Sequence, residues 1–206
     1  SVNGQAFTGI DIDLAHELAS HLKARVIFVQ TSWPSLMSDL GSKKFDVGMS
    51  GISITKQRQQ KALFSQPYHI GGKTPIALCT RINSFKSLEV IDVPKMRVIV
   101  NRGGTNEKFI DDNIKRATKI LVEDNRDIFQ HIVKRRADLM ITDKIEVDFQ
   151  SARNRDLCGL ATEITFTYQE KGYLIPREPE LLAAVDSWLE QAKLSGSLRS
   201  AFDRHL

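Results

Sequence analysis

The 206-residue sequence has little of what marks most specialised classes of protein. Its two cysteines, Cys79 and Cys158, are too few for a disulfide scaffold and lack metal-ligand spacing. They either bond to each other, in an oxidising compartment, or lie buried as two small hydrophobic side chains. The five histidines, His16, His21, His69, His131 and His205, fall into no ligand pattern, so no metal site is expected. No apolar run nears the roughly 18 residues of a membrane-crossing helix. A Gly-x-Ser-x-Gly motif is missing, as is any Cys and His pairing, which argues against the common nucleophilic hydrolases. No P-loop lysine follows Gly103-Gly104, so a bound nucleotide is not expected either. Low-complexity and linker-like stretches are absent.

What remains describes an ordinary globular protein, 41% hydrophobic and 26% charged. The net charge is +4, yet the basic residues are scattered, and Lys134-Arg135-Arg136 is their longest run. Nucleic-acid binding calls for a patch or stripe instead. A few of these cations suit a small anionic ligand. The chain opens on Ser1-Val2-Asn3-Gly4, polar turn material with no signal peptide, so a processed or trimmed chain is expected.

Residues 7–22 carry Ile10, Leu14, Leu18 and Leu22 at helical spacing. The β-branched run 25–31 reads as a strand. Residues 33–40 read as a short helix with Ser32 as its cap and Pro34 in its first turn. A buried strand at 45–50 and a helix at 55–62 follow, an alternation that demands parallel strands and right-handed crossovers. The pattern recurs, with strands at 96–100, 119–123 and 137–142 and helices at 106–117, 127–135 and 143–152. Lys44-Phe45-Asp46-Val47-Gly48-Met49-Ser50 answers Arg136-Ala137-Asp138-Leu139-Met140-Ile141-Thr142, which suggests two lobes of like design. The extended segments 74–79 and 172–176 read as strands crossing between them. Lobe 1 is then discontinuous, 1–78 with 173–206, and it closes with helices after Pro179 that break at Gly196. Lobe 2 is 79–172. The expected fold class is α/β, each lobe a mainly parallel sheet flanked by helices. Lobe 1 lacks a strand ahead of Asn3, so about 20–30 further residues are expected there, the length of a strand and its turn.

In open α/β sheets, ligands bind beyond the carboxyl ends of strands, near helix N-termini. Four places qualify: Thr31-Ser32-Trp33, Met49 to Ser53 leading to Arg58, Gly103-Gly104-Thr105-Asn106, and Thr142-Asp143-Lys144-Ile145-Glu146. Each has a plainer explanation alone. Ser50 and Ser53 are ordinary turn formers, Arg58 lies in a solvated-looking Lys56-Gln57-Arg58-Gln59 run, and Trp33 suits a core. Asp143 is a natural N-cap, and Glu146 would complete a capping box with it. Together, two places per lobe, they are expected to face one cleft.

The run from Phe45 to Thr55, with Lys56-Gln57-Arg58 and Phe64-Ser65-Gln66-Pro67-Tyr68 after it, resembles the signature of the polar-amino-acid solute-binding proteins, family 3. Thr105-Asn106-Glu107 and the stretch from Ala137 to Asp143 belong to the same pattern. Within that family, segments 31–37, 72–76, 103–109, 142–146 and 173–176 are similar to those of the secreted cyclohexadienyl dehydratases. The resemblance covers essentially the whole chain, the first strand excepted. It implies the two-lobed type II fold of periplasmic binding proteins, a periplasmic location, and a small carboxylate ligand such as prephenate, arogenate or an amino acid. It implies no cofactor, no nucleic acid and no membrane insertion. By it, Arg58 would clamp a carboxylate, with neutral hydrogen bonds from Ser50, Ser53, Thr105 and Asn106. Trp33 would pack on the ring, and Lys73 would meet a second carboxylate. Asp143 corresponds to the residue that meets the α-amino group in amino-acid binders, and Glu146 matches the dehydratase's general acid. The alternative is a non-catalytic binding protein that delivers an amino acid to an ABC permease, and Glu146 and Lys73 are the residues that separate the two.

Overall fold

The computed structural model describes residues 7–161 and 165–206, so the turn expected at Asn3-Gly4-Gln5 lies outside it. The chain divides into two compact units at 70/71 and 169/170. The first unit opens with helices α1 (Ile10–His21), α2 (Leu36–Gly41) and α3 (Lys56–Gln59), then strands β1 (Leu63–Phe64) and β2 (His69–Gly71). The second runs through β3 (Lys73–Leu78), α4 (Leu88–Ile91), β4 (Arg97–Asn101), α5 (Thr105–Asn113) and β5 (Thr118–Val122). It continues with α6 (Ile128–Val133), β6 (Leu139–Asp143), α7 (Lys144–Arg153) and β7 (Leu157–Gly159), and β8 (Gln169–Lys171) leads back to the first unit. The chain then completes the first unit with β9 (Leu174–Ile175), α8 (Pro179–Ser195) and α9 (Ser197–His205).

In the first unit, α1 presents Leu14 and Leu18 to Tyr173, Val185, Trp188 and Leu189, its period-3.6 stripe meeting that of α8. Pro179 opens α8, where its missing N–H needs no partner, and Gly196 ends it at φ 79°, which frees α9 to turn back. The strand expected at 25–31 is in no sheet among the described residues, and Ile27 is 71% exposed. Composition suited that run to a strand, but without a neighbouring strand its backbone has no ladder to join. The strand expected at 45–50 reduces to a bridge between Gly48 and Leu174, beside the antiparallel pair β1–β9. Helix α2 starts later than expected: its N-cap is Ser35, and Ser32 instead closes a turn through its carbonyl to the Ser35 N–H at 3.2 Å.

The second unit holds a five-stranded sheet in the order β5-β4-β6-β3-β7. Its β5-β4-β6 side is parallel, as expected, but β3 runs antiparallel to both β6 and β7, so the sheet is mixed. Two apolar layers cover its faces, one around Phe85, Val98, Ile110 and Ile141, the other around Ile76, Ile99, Ile128 and Met140. The expected boundaries at 78/79 and 172/173 move earlier for a physical reason. Residues 73–77 pair with 139–143, which places all of β3 in the second unit. The crossings are therefore β2 and β8, not 74–79 and 172–176.

Cys79 and Cys158 form a disulfide that joins the end of β3 to β7. Replacing both by Ser should lower stability by about 2–4 kcal/mol, because the unfolded chain regains the freedom of a long loop. Denaturant melts of both proteins check this, and two labelled thiols in the native, unreduced protein would refute the bond.

Candidate active site

The first unit's contribution is the turn from Ser50 to Ser53 and the short helix behind it. Gly51 takes φ 62°, a conformation that costs little only for glycine. Its N–H donates to Asp11 Oδ2 at 3.0 Å and meets Tyr68 Oη at 3.2 Å. Thr55 caps α3 by accepting from the Arg58 N–H at 3.2 Å. That cap aims the Arg58 side chain inward, where it is 9% exposed rather than solvated. Arg58 Nη1 donates to the Ser53 carbonyl at 2.8 Å, and its guanidinium carbon lies 5.6 Å from the centre of the Trp33 ring. Trp33 also packs on the Leu36 and Leu40 cluster, so it serves the core as well as the arginine. Ser53 is buried and its hydroxyl accepts from Lys171 Nζ at 2.7 Å, whereas Ser50 is exposed. A guanidinium is a planar fork, the geometry that pairs with a carboxylate.

The second unit gathers five of the expected residues into one hydrogen-bonded network. Lys73, 1% exposed, opens β3 directly opposite Asp143, which ends β6. Its ammonium lies 3.3 Å from Asp143 Oδ1, 3.3 Å from Thr105 Oγ1, and against Asn106 Oδ1. Asn106 Nδ2 donates to Thr142 Oγ1 at 2.9 Å, and Thr142 Oγ1 donates to Glu146 Oε2 at 2.5 Å. Asn125 Nδ2 donates to Glu146 Oε1 at 3.0 Å. Gly72 makes the approach possible, because a Cβ there would lie 1.7 Å from the Thr167 carbonyl oxygen.

Three sequence expectations change here. The Asp143 side chain makes no cap bond on α7, and the Glu146 oxygens take Thr142 and Asn125, so the arrangement is not the capping box. Thr105 and Asn106 face the Lys73 ammonium. At the start of α5, the Gly103 N–H already donates to Glu107 Oε2 at 2.6 Å. Three residues were not singled out beforehand, Asp11, Asn125 and Lys171, whereas Thr142 opened one of the four candidate places. Asp11 had one signal, an acid in the first turn of a helix. Burial pushes its carboxyl up to about 6, against the hydrogen bonds from Tyr68 and Gly51. Among the described residues no cluster of His, Cys, Asp and Glu could hold a metal, and no helix is long and apolar enough to cross a membrane.

Residues 2–206 match the profile of the bacterial extracellular solute-binding proteins, family 3, and the chain belongs to that family. Its α/β architecture is the type II binding-protein fold of those proteins. It is 46% identical over 200 residues to the cyclohexadienyl dehydratase of Pseudomonas aeruginosa, an alignment covering 97% of this chain and 75% of that one. The crystal structure of an ancestral amino acid-binding protein, described as a precursor of cyclohexadienyl dehydratase, superposes with a TM-score of 0.88 at 33% identity. That match covers 100% of this chain and 87% of the ancestor. An ancestral cyclohexadienyl dehydratase matches at 43% identity and a TM-score of 0.56, over 100% of this chain and 85% of that one.

Proposed function

We propose that this protein is a periplasmic cyclohexadienyl dehydratase, converting prephenate to phenylpyruvate and arogenate to phenylalanine. The dehydratase relative, at 46% identity over nearly the whole chain, supports the reaction. Loss of water and carbon dioxide from the cyclohexadiene ring leaves an aromatic ring, so the step runs downhill. The enzyme has to hold the substrate's carboxylates, protonate the departing hydroxyl and exclude water. Arg58, with Ser50, Ser53 and Trp33 around it, takes a carboxylate and the ring. Glu146 delivers the proton, a service worth about 10²–10⁴-fold in rate.

The observation that carries this reading over a plain amino-acid binder is the ion pair of Lys73 with Asp143. An amino-acid binder needs an unspent carboxylate to meet the ligand's ammonium. Here the chain supplies that ammonium itself, together with Thr105 and Asn106. A keto acid without an amino group suits such a site, and prephenate is therefore the better of the two substrates.

Incubation with prephenate should yield phenylpyruvate, read by its absorbance, with a kcat/KM above that for arogenate. No product from either substrate would end the dehydratase reading in favour of the transport alternative. Lys73→Met exposes Asp143 to a ligand ammonium and should move the arogenate-to-prephenate ratio upward by about tenfold, roughly one charge-assisted hydrogen bond. An unchanged ratio would remove Lys73 from substrate selection. The variant also leaves a carboxylate without its buried cation, at a cost of about 3–5 kcal/mol, which Asp143→Asn in the same chain should largely recover.

A further inference from the structure

We infer that Asp11 is a positioning residue for the carboxylate site, holding the Ser50–Ser53 turn in its ligand-ready form through the Gly51 N–H and the Tyr68 hydroxyl. The inference rests on reading that turn, with Arg58 beside it, as the place where the substrate carboxylate binds. Three observations carry it. First, Asp11 Oδ2 accepts from Gly51 N at 3.0 Å and from Tyr68 Oη at 3.1 Å, two donors from segments far apart in the chain. Second, Gly51 is the residue at φ 62°, so the bond is made where the turn is least able to hold itself. Third, Ser53, two residues further on, carries the carbonyl that fixes Arg58. A slack turn would move that guanidinium.

The surroundings make the contact sensitive to pH. Tyr68 stacks on Tyr173 with ring centres 4.5 Å apart, and burial holds the Tyr173 hydroxyl well above its usual range, so it stays protonated. Asp11 Oδ1 and Tyr173 Oη are both buried, and Tyr173 is one of the groups that favour the Asp11 carboxylate. The other charged groups nearby are engaged elsewhere. Asp13 pairs with Arg204 and His205 of α9, and Glu17 accepts from Trp188 and Ser197. His69 stacks on Phe202. No ion pair to Asp11 occurs among the described residues.

With its carboxyl raised to about 6, Asp11 is a carboxylate at neutral pH and becomes a neutral acid on mild acidification. The carboxylate accepts from Gly51 more strongly than the acid does. Affinity for a substrate carboxylate should therefore be full above that value and fall as the pH drops through it. Fold stability moves the other way. A group whose folded value is raised contributes stability at low pH and loses it as the pH rises through the folded value. Acid should thus weaken binding while this group makes the protein more stable, a combination that general loosening of the fold does not produce.

The test is the amide resonance of Gly51, followed by NMR against pH without any substrate, together with the KM for prephenate. In the wild type the resonance should titrate with a midpoint near 6. The KM should rise about tenfold between about pH 7.5 and about pH 5, one charge-assisted bond's worth. Asp11→Asn should abolish the Gly51 titration and give a raised KM that no longer responds to pH in this range. If that variant does not fold, Tyr68→Phe decides. Loss of a hydrogen bond that favours the carboxylate should shift the Gly51 midpoint upward. A Gly51 resonance that is flat with pH in the wild type, or a midpoint unmoved in Tyr68→Phe, overturns the inference. A titrating Gly51 in a protein that turns over neither substrate leaves Asp11 in place and rejects the dehydratase reading instead.

Discussion

Glu146→Gln should reduce prephenate turnover by at least about 10²-fold while leaving affinity for a substrate analogue nearly unchanged. The substitution keeps the length of the side chain but removes its transferable proton. Thr142 and Asn125 both donate to the Glu146 carboxyl. A glutamine turns only one oxygen towards those two donors, so one of the bonds is lost and stability falls by about 1 kcal/mol. Rate, calorimetric affinity and melting temperature on the same variant separate the effects. A general acid acts in the transition state, so its loss appears in kcat and not in binding. Near-wild-type turnover would reduce Glu146 to an anchor for α7, and the proton donor would have to be sought elsewhere.

Arg58→Ala should weaken binding of any carboxylate ligand by about 2–5 kcal/mol, roughly 30-fold to several thousandfold. The range is wide because the arginine is buried: its removal leaves both the ligand carboxylate and the Ser53 carbonyl short of a donor. Arg58→Lys should recover only a small part, since an ammonium offers a point charge in place of a planar fork and stacks less well on Trp33. Isothermal titration with prephenate or a non-reacting dicarboxylate reads the loss directly. Unchanged affinity in Arg58→Ala would make the residue a support for the turn and nothing more.

Much of this architecture is legible in local pattern. The leucine stripe of α1, the proline and glycine that bracket α8, and the β-branched runs of β4 and β5 each follow from contacts within a few residues. The failures share a cause. Residues 25–31 have strand composition, but composition cannot say whether a second strand lies alongside. The true crossings, His69-Ile70-Gly71 and Gln169-Glu170-Lys171, are too short and too mixed to show alternation. At the site, Arg58 looked like a surface residue because its neighbours Lys56 and Gln57 are exposed, yet the Thr55 cap turns it inward. Lys73 and Asp143 lie 70 residues apart, and only the antiparallel register of β3 on β6 sets them face to face. Asp11 and Gly51 meet in the same way, across 40 residues. Family resemblance singled out Lys73 and Asp143 as ligand contacts, but it gave no sign that they bind each other.

The Cys79–Cys158 bond bears on how the molecule can be made. Within these 206 residues there are two cysteines, so oxidation within one chain has a single outcome and no wrong pairing to reshuffle. Its timing is constrained as well. The two sulfurs are separated by 79 residues, and they meet only where Ala77 of β3 pairs with Cys158 of β7, the sheet's three-residue edge strand. The bond can therefore close only once β7 has paired with β3. Oxidation then locks that pairing in place. Until it closes, β7 is held to β3 by three register pairs, and a β3 uncovered by loss of β7 would be an open edge that invites strand pairing between chains. A reducing host should consequently give a folded but slowly aggregating product, and oxidant added after folding should rescue it without an isomerase.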